Sequence, residues 1–365
     1  MSQGRAIANF NWALLGVMLA LFGAGIVNLY SATVARESTS QYYLNQLYWF
    51  GIGLAGVIAV QFFDYRHADR FAYVFYAVCL LGLVLVAVKG KTVFGGRRWL
   101  SLGPVSLQPS EFMKLGLIVA LAHFFNARQD EGPYGFKQLW VPLLLAAVPA
   151  ALIIRQPDLG TATILLLVAF SMLLFARMKL STLLLSVVIG VSTMLVSWQY
   201  ILKNYQKRRV LAFMDPGADL LGSGYHANQS MIAVGSGKGL GKGFMASTQS
   251  QFSFLPEQHT DFIFSVFSEE WGYAGVLAIM FMFLLLLFLV LECSRTAREK
   301  FGVFVPAGVF FMIFWHLVIN VGMVSGLMPV VGVTLPFFSS GGSSLIAVML
   351  GIGLALNINM RRHGY

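Results

Sequence analysis

Apolar residues occupy most of the chain in long runs separated by short polar stretches. A helix needs ~20 consecutive apolar residues to cross the hydrocarbon core of a bilayer. About ten runs approach that length, near 11–32, 45–63, 70–88, 109–126, 138–154, 160–177, 181–201, 262–291, 303–324 and 342–358. The sixth is short and the eighth is long. Residues 271–291 alone suffice to span, so 261–270 either extend that helix beyond the membrane or break from it near Gly272. The pattern predicts an all-α integral membrane protein of about ten transmembrane helices. It forms a single polytopic membrane domain over 1–365, with one large loop, about 202–261, between helices 7 and 8. No internal repeat is evident, so an inverted-repeat transporter fold gains no direct support.

Composition agrees: 58% of residues are hydrophobic and 11% charged, where soluble domains carry about 25% charged residues. The first run is too long for a signal-peptide core and lacks a basic leader and a small-residue cleavage site, so no cleavable signal is expected. Cys79 and Cys293 show no spacing that suggests a disulfide framework or a metal site.

Charge supplies the orientation, because short connections rich in Lys and Arg face the cytoplasm. With the N-terminus inside, the inner connections hold Arg66 and Arg70, Arg128 and Lys137, Arg177 and Lys179, and Arg295, Arg298 and Lys300. The tail adds Arg361 and Arg362, and an even helix number puts both termini in the cytoplasm. Two outer segments break the rule. Residues 89–108 carry Lys89, Lys91, Arg97 and Arg98 with no acid before Glu111. Residues 202–261 carry Lys203, Lys207, Arg208, Arg209, Lys238 and Lys242 against Asp215, Asp219, Glu257 and Asp261. Long translocated loops tolerate such charges, but the first segment is short and purely cationic. Outward cations above a membrane suit an anionic ligand held at the lipid surface, and phosphate or pyrophosphate is the natural one.

Candidate chemistry gathers at four places. In the first outer segment Arg97 and Arg98 precede Trp99, a candidate interfacial anchor. Gln108 and Pro109 then lead to Ser110, a reasonable helix N-cap. Glu111 and Lys114, three residues apart, share a helix face; they form a structural bridge, meet a ligand, or both. A lysine one turn into an apolar run needs a partner or a wet cavity. In the tight turn RQPDLGT, Arg155 and Asp158 are spaced to pair.

The long outer segment contains GSGKGLGKG. Its spacing fails the nucleotide P-loop, since three residues rather than four separate Gly237 from Gly241, and Gly243 replaces the hydroxyl residue. Exposed amides with Lys238 and Lys242 still suit a diphosphate or sugar. His226 either bonds a sugar or is a structural loop histidine. The segment ends in LPEQHTDFIF, where Glu257, His259 and Asp261 precede an apolar run. Asp261 is either an ordinary acidic first turn favoured by the helix dipole or a functional carboxylate at the bilayer boundary. Last, Pro329, Pro336 and Gly341–Gly342 interrupt an apolar region, and a helix starting near Gly342 turns its free N–H groups toward Ser339 and Ser340. That end is either an anion site or a capped turn.

Taken together, GGRRWLSLGPVSLQPSEFMK, QSMIAVGSGKGLGKG, LPEQHTDFIF and the run from Asn320 through FFSSGGSS to Ser344 resemble the signature of the SEDS family (shape, elongation, division and sporulation) along essentially the whole chain. Gly224–His226 and STQSQ, 247–251, are similar to the elongation branch more than the division branch, although Ser247 stands where that branch usually has Gly. The resemblance implies a ten-helix peptidoglycan glycosyltransferase of the bacterial cytoplasmic membrane, polymerising lipid II on the extracytoplasmic face. Its implied partners are a class B penicillin-binding protein and other elongation-complex membrane proteins, with no nucleic acid. The essential aspartate of the family falls on Asp261. Arg97, Arg98, Trp99, Gln108, Ser110, Glu111, Lys114, His226, Lys238, Lys242, Glu257, His259, Ser339, Ser340, Gly341 and Gly342 are the expected substrate contacts. A divalent cation, Mg or Mn, is implied, with Asp261 and Glu111 as candidate ligands and no organic cofactor. The rival readings are a lipid II flippase, a division-specific polymerase, and a scaffold that recruits the transpeptidase.

Overall fold

The computed structural model describes residues 9–34, 41–93, 96–103, 105–128, 133–201, 204–214, 223–248 and 258–362. Every apolar run is helical there: α1 Trp12–Val34, α2 Tyr42–Phe62, then after the short α3 Tyr65–Arg70, α4 Ala72–Lys89, α5 Pro109–Ala127, α6 Phe136–Arg155, α7 Leu159–Phe175 and α8 Leu180–Val196. Two helices of the long loop follow, α9 Asn204–Met214 and α10 Ser223–Ser236, and then α11 Ile263–Thr296, α12 Lys300–Val324 and α13 Gly342–Met360. Seven of these are long and apolar enough to cross a membrane: α1, α2, α4, α6, α11, α12 and α13. α7 and α8 are shorter apolar helices. A single π-helical turn, Ser197–Ile201, extends α8.

The bundle has an inside and an outside. α5, α12 and α13 are buried along most of their length, and α13 packs on α2, α12 and α5. α4 and α8 turn Val74, Val78, Leu81, Leu184, Val188 and Val191 outward, as lipid-facing surfaces require. Polar stitches hold the inner layer. Asn357 Nδ2 donates to the carbonyls of Val60 and Phe63 at 2.8 Å each, and Gln61 Nε2 to Gly353 O at 2.9 Å.

Between α4 and α5 lies a small antiparallel sheet, β1 Lys91–Val93, β2 Gly96–Leu102 and β3 Val105–Leu107, in the order β1-β2-β3. Trp99 pairs with Lys91 and Arg97 with Thr92, with a register shift between them. The first outer segment is therefore a hairpin ribbon rather than a loose loop. Its Arg97 is exposed and Arg98 points back toward the helices.

Of the two expectations for the long eighth run, extension or a break near Gly272, the backbone shows the break. α11 loses helical geometry at Gly272, with φ 63° and ψ −164°, a conformation that only glycine adopts without strain. The glycine-rich stretch after α10 closes over that break. Lys242 N donates to Glu269 O and Gly243 N to Glu270 O, both at 3.0 Å, while Tyr273 N and Ala274 N donate to Lys238 O and Gly239 O at 2.9 and 3.0 Å. A kinked helix leaves main-chain groups unpaired, and these strand-like bonds satisfy them. A side chain at Gly241, whose φ is +81°, would overlap the Glu270 carbonyl.

Candidate functional site

A non-helical segment, 325–341, joins α12 to α13 and runs through the bundle as buried backbone: Val333, Leu335, Phe337 and Phe338 are all buried. Irregular backbone at membrane depth must find partners within the protein. Side chains provide them. Asn320 Nδ2 donates to Val333 O at 2.7 Å, and His316 Nδ1 to Thr334 O at 2.9 Å. Ser339 Oγ accepts from Leu335 N at 2.8 Å. Gln46 on α2 donates to Ser339 O at 3.0 Å and accepts from Gly341 N at 3.2 Å.

The turn that carries Asp261 is sewn to this segment. Ser340 N donates to His259 O at 2.8 Å, Ser339 Oγ to Thr260 O at 2.6 Å, and Asn320 Nδ2 to Asp261 O at 3.0 Å. The His259 ring stacks on Tyr42 with centroids 4.1 Å apart, and Gln258 Nε2 reaches Ala32 O at 2.9 Å. The carboxylate of Asp261 rests against Gly332. A Cβ there would come 3.1 Å from Oδ2, and Gly332 has φ +74°. Asp261 is half-buried, so its backbone is fixed while its head retains access.

Two charged clusters lie behind the same segment. In the first, Lys114 Nζ donates to Glu111 Oε2 at 2.8 Å and to His316 Nε2 at 2.7 Å. The Thr334 carbonyl can only accept, so His316 Nδ1 carries a proton and Nε2 is the acceptor facing Lys114. Lys114 is only 1% exposed. In the second cluster Arg98 donates to the carbonyls of Gln156 and Pro157, with Nη1 3.9 Å from Asp158 Oδ1. Asp158 also accepts from Gln108 Nε2 at 3.1 Å and from Thr161 N and Oγ1. The start of α7 meets the segment directly, because a Cβ on Gly160 would lie 2.7 Å from Val331 O. Asp261 thus meets residues 331–334 at Gly332, the Lys114–Glu111 pair reaches them through His316, and Arg98 and Gln108 hold Asp158 at the start of α7, which meets Val331.

The other expected residues divide. Arg97 and Lys238 are exposed and Trp99 is half-buried. His226 lies on α10 with its ring 6.5 Å from Phe262. Glu257 lies outside the described residues. Ser110 is not the N-cap of α5: Gln108 is, with Pro109 at the first helical position, because proline's fixed φ and missing N–H suit that place. Ser110 Oγ is instead buried without a hydrogen-bond partner among the described residues. Asp158 pairs with Arg98 rather than Arg155. Lys242 is held by Glu269 at 2.5 Å and Thr248 at 3.0 Å, so its ammonium braces the glycine-rich clip. Gly342 packs under the Trp49 indole. Sequence reasoning missed His316 and Gln46. An ionisable residue inside an apolar run was the available signal for His316.

Of the two expected cation ligands, Glu111 is committed to Lys114 and Asp261 rests against Gly332. The described residues contain no group of three or more His, Cys, Asp or Glu placed to hold a metal ion.

Comparison with known proteins places these features in context. The profile of the FtsW, RodA and SpoVE family, described as a cell cycle protein, matches residues 11–364. The peptidoglycan glycosyltransferase MrdB of Escherichia coli K12 is 36% identical over 349 residues, covering 96% of this chain and 93% of MrdB. Among solved structures, one reported as a peptidoglycan synthase complex coordinating polymerization and crosslinking aligns with TM-score 0.83 and 32% identity, covering 98% of this chain and 99% of that one. The rod shape determining protein RodA of Thermus thermophilus aligns with TM-score 0.73 and 30% identity, covering 98% of each chain.

Proposed function

The chain belongs to the FtsW, RodA and SpoVE family, and from that membership we propose that it polymerises lipid II into glycan strands for cell elongation at the outer face of the cytoplasmic membrane. It is a multi-pass membrane protein and a peptidoglycan glycosyltransferase. The observation that carries the reading is the half-buried Asp261 carboxylate, fixed through its backbone to Asn320 and facing the glycine gap at Gly332.

In the proposed step Asp261 takes the proton of the acceptor sugar 4-hydroxyl as that oxygen bonds to the donor anomeric carbon. The anomeric carbon–oxygen bond to the lipid diphosphate breaks, and the diphosphate leaves with the added negative charge. General-base assistance of this kind contributes roughly 10²–10⁴-fold. Exposed Arg97 and Lys238 are cations placed to follow the departing charge, and Trp99 lies on the same ribbon as Arg97. Lys114 and Arg98 act one layer behind, holding residues 331–334 and the start of α7 in place. The outward face is supported by the basic residues collected at the opposite end. The synthase-complex neighbour supports a class B penicillin-binding protein as partner. A flippase is not favoured: Glu111, Lys114 and Glu269 are closed into pairs instead of lining a path.

The test is polymerisation of labelled lipid II by the purified protein, alone and with its transpeptidase, beside Asp261→Asn. Ladders from the parent and none from the variant are expected. A variant that polymerises at the parental rate would remove Asp261 from the reaction.

A further inference from the structure

At the end of the bundle away from Asp261 three separate segments meet: the turn after α2, the α11–α12 connection, and the end of α13. They enclose a cavity of about 90 Å³ whose wall includes Tyr65, Arg66, Arg298, Glu299, Arg361 and Arg362. Two of the four arginines, Arg66 and Arg361, have an acid within 4 Å. Glu299 accepts from Arg66 at 2.7 and 3.1 Å and from the Tyr65 hydroxyl at 3.2 Å. Arg361 donates to the carbonyls of Gln61 and Phe63 and forms a long ion pair with Asp64 at 3.8 Å. Among the described residues neither Arg298 nor Arg362 joins a salt bridge, and the Nε atoms of Arg361 and Arg362 have no acceptor.

A helix C-terminus favours nearby cations, and cytoplasmic connections are basic in general. Those tendencies put arginines near this level but do not gather four of them from three segments around one cavity. Unmatched guanidinium donors call for an acceptor that the protein does not supply. The rim identifies its source. Phe62 and Phe63, 81% and 67% exposed, come just before Tyr65 in the chain, and the Phe63 carbonyl accepts from Arg361 of the cavity wall; exposed aromatic side chains of this kind suit a lipid interface. We propose that this cavity binds the phosphate group of an anionic lipid headgroup, in the manner of basic pockets between transmembrane helices.

The experiment uses the full chain in neutral detergent. Phosphatidylglycerol or phosphatidylcholine is added in mixed micelles, and bound lipid is read by native mass spectrometry alongside thermal unfolding. The parent is expected to retain phosphatidylglycerol and to gain stability from it, with no gain from phosphatidylcholine. Arg298→Gln with Arg362→Gln, which spares the Arg66–Glu299 pair, is expected to weaken that binding by at least about tenfold, the loss of one charge-assisted contact or more. Arg298→Lys with Arg362→Lys keeps the charge without the forked donors and is expected to fall between, and it serves should the glutamine variant fold poorly. Equal retention by parent and variants, or of the two lipids, overturns the proposal. Stabilisation by millimolar inorganic phosphate without any by phosphatidylglycerol overturns the lipid assignment.

Discussion

Two lysine–glutamate pairs stand within reach of the segments that frame Asp261, and they are built differently. Lys114 and Glu111 lie three residues apart on one helix, sealed in the bundle, with His316 relaying their contact to Thr334. Lys242 and Glu269 come from different segments. The carboxylate is fully buried and takes bonds from Ser236, Ser247 and Thr248 as well, while the lysine side chain is 31% exposed. The first pair leans on its cation: without Lys114, Glu111 is a charge deep in the protein with the Ser344 side chain as its remaining hydrogen-bond partner among the described residues. The second is a carboxylate already satisfied by hydroxyls and a main-chain amide, to which a lysine has been added. A cation near a carboxylate is therefore not one motif but two, separated by what else the carboxylate can bind.

The sharpest test sets both pairs against the Asp261 carboxylate itself. Asp261→Asn preserves shape and backbone contacts, so folding should be unchanged while polymerisation falls by roughly 10²–10⁴-fold. Lipid II turnover together with a thermal unfolding curve measures both. If activity persisted, the pairs would be the place to look for the reaction.

Lys114→Met comes next. It leaves Glu111 buried without its ammonium partner, and removing one partner of a buried pair costs about 3–5 kcal/mol. The accompanying Glu111→Leu should restore most of that stability, since a buried pair replaced by packed hydrophobics is often neutral. Polymerisation should stay low in the double variant, because His316 no longer has its second contact and the Thr334 wall loosens. Full activity in the double variant would reduce the network to a structural accident.

Gly241→Ala probes the other region. The left-handed backbone alone costs about 1–3 kcal/mol for a non-glycine residue, and the methyl would meet the Glu270 carbonyl. Loss of stability measured by unfolding, with the remaining folded protein still active, would mark the glycine-rich stretch as a clip for the α11 kink. A stable variant that lost affinity for lipid II would return it to the substrate.

How far the sequence reached depends on the same contrast. Helix positions were legible because bilayer thickness writes them as length, and the α11 break was one of two courses left open once residues 271–291 sufficed to span. Glu111–Lys114 was legible as an i, i+3 pair. His316 binds Lys114 across 202 residues and Gln46 reaches Ser339 across 293, and no local spacing encodes such contacts. The glycines of GSGKGLGKG looked like a phosphate cradle because close approach to a diphosphate and close approach to a helix backbone demand the same residue. Only the partner distinguishes them, and here the partner is α11.

The smallest expected effect decides that last point. Lys242→Gln keeps a donor of nearly the same reach for Glu269, which retains Ser247 Oγ at 2.6 Å and Thr248 Oγ1 at 2.7 Å. A partly solvated ion pair contributes about 1 kcal/mol or less, so unfolding should shift slightly and polymerisation should stay within a few-fold of the parent. Lys238→Gln is the control, since that side chain is exposed on the same stretch and is proposed to meet the diphosphate. It should raise the lipid II concentration needed for half-maximal rate without touching stability. Should Lys242→Gln behave like Lys238→Gln, with an intact fold and weakened substrate use, both lysines of the loop serve the diphosphate. The line between a bracing pair and a working one would then fall between Lys114 and the loop as a whole.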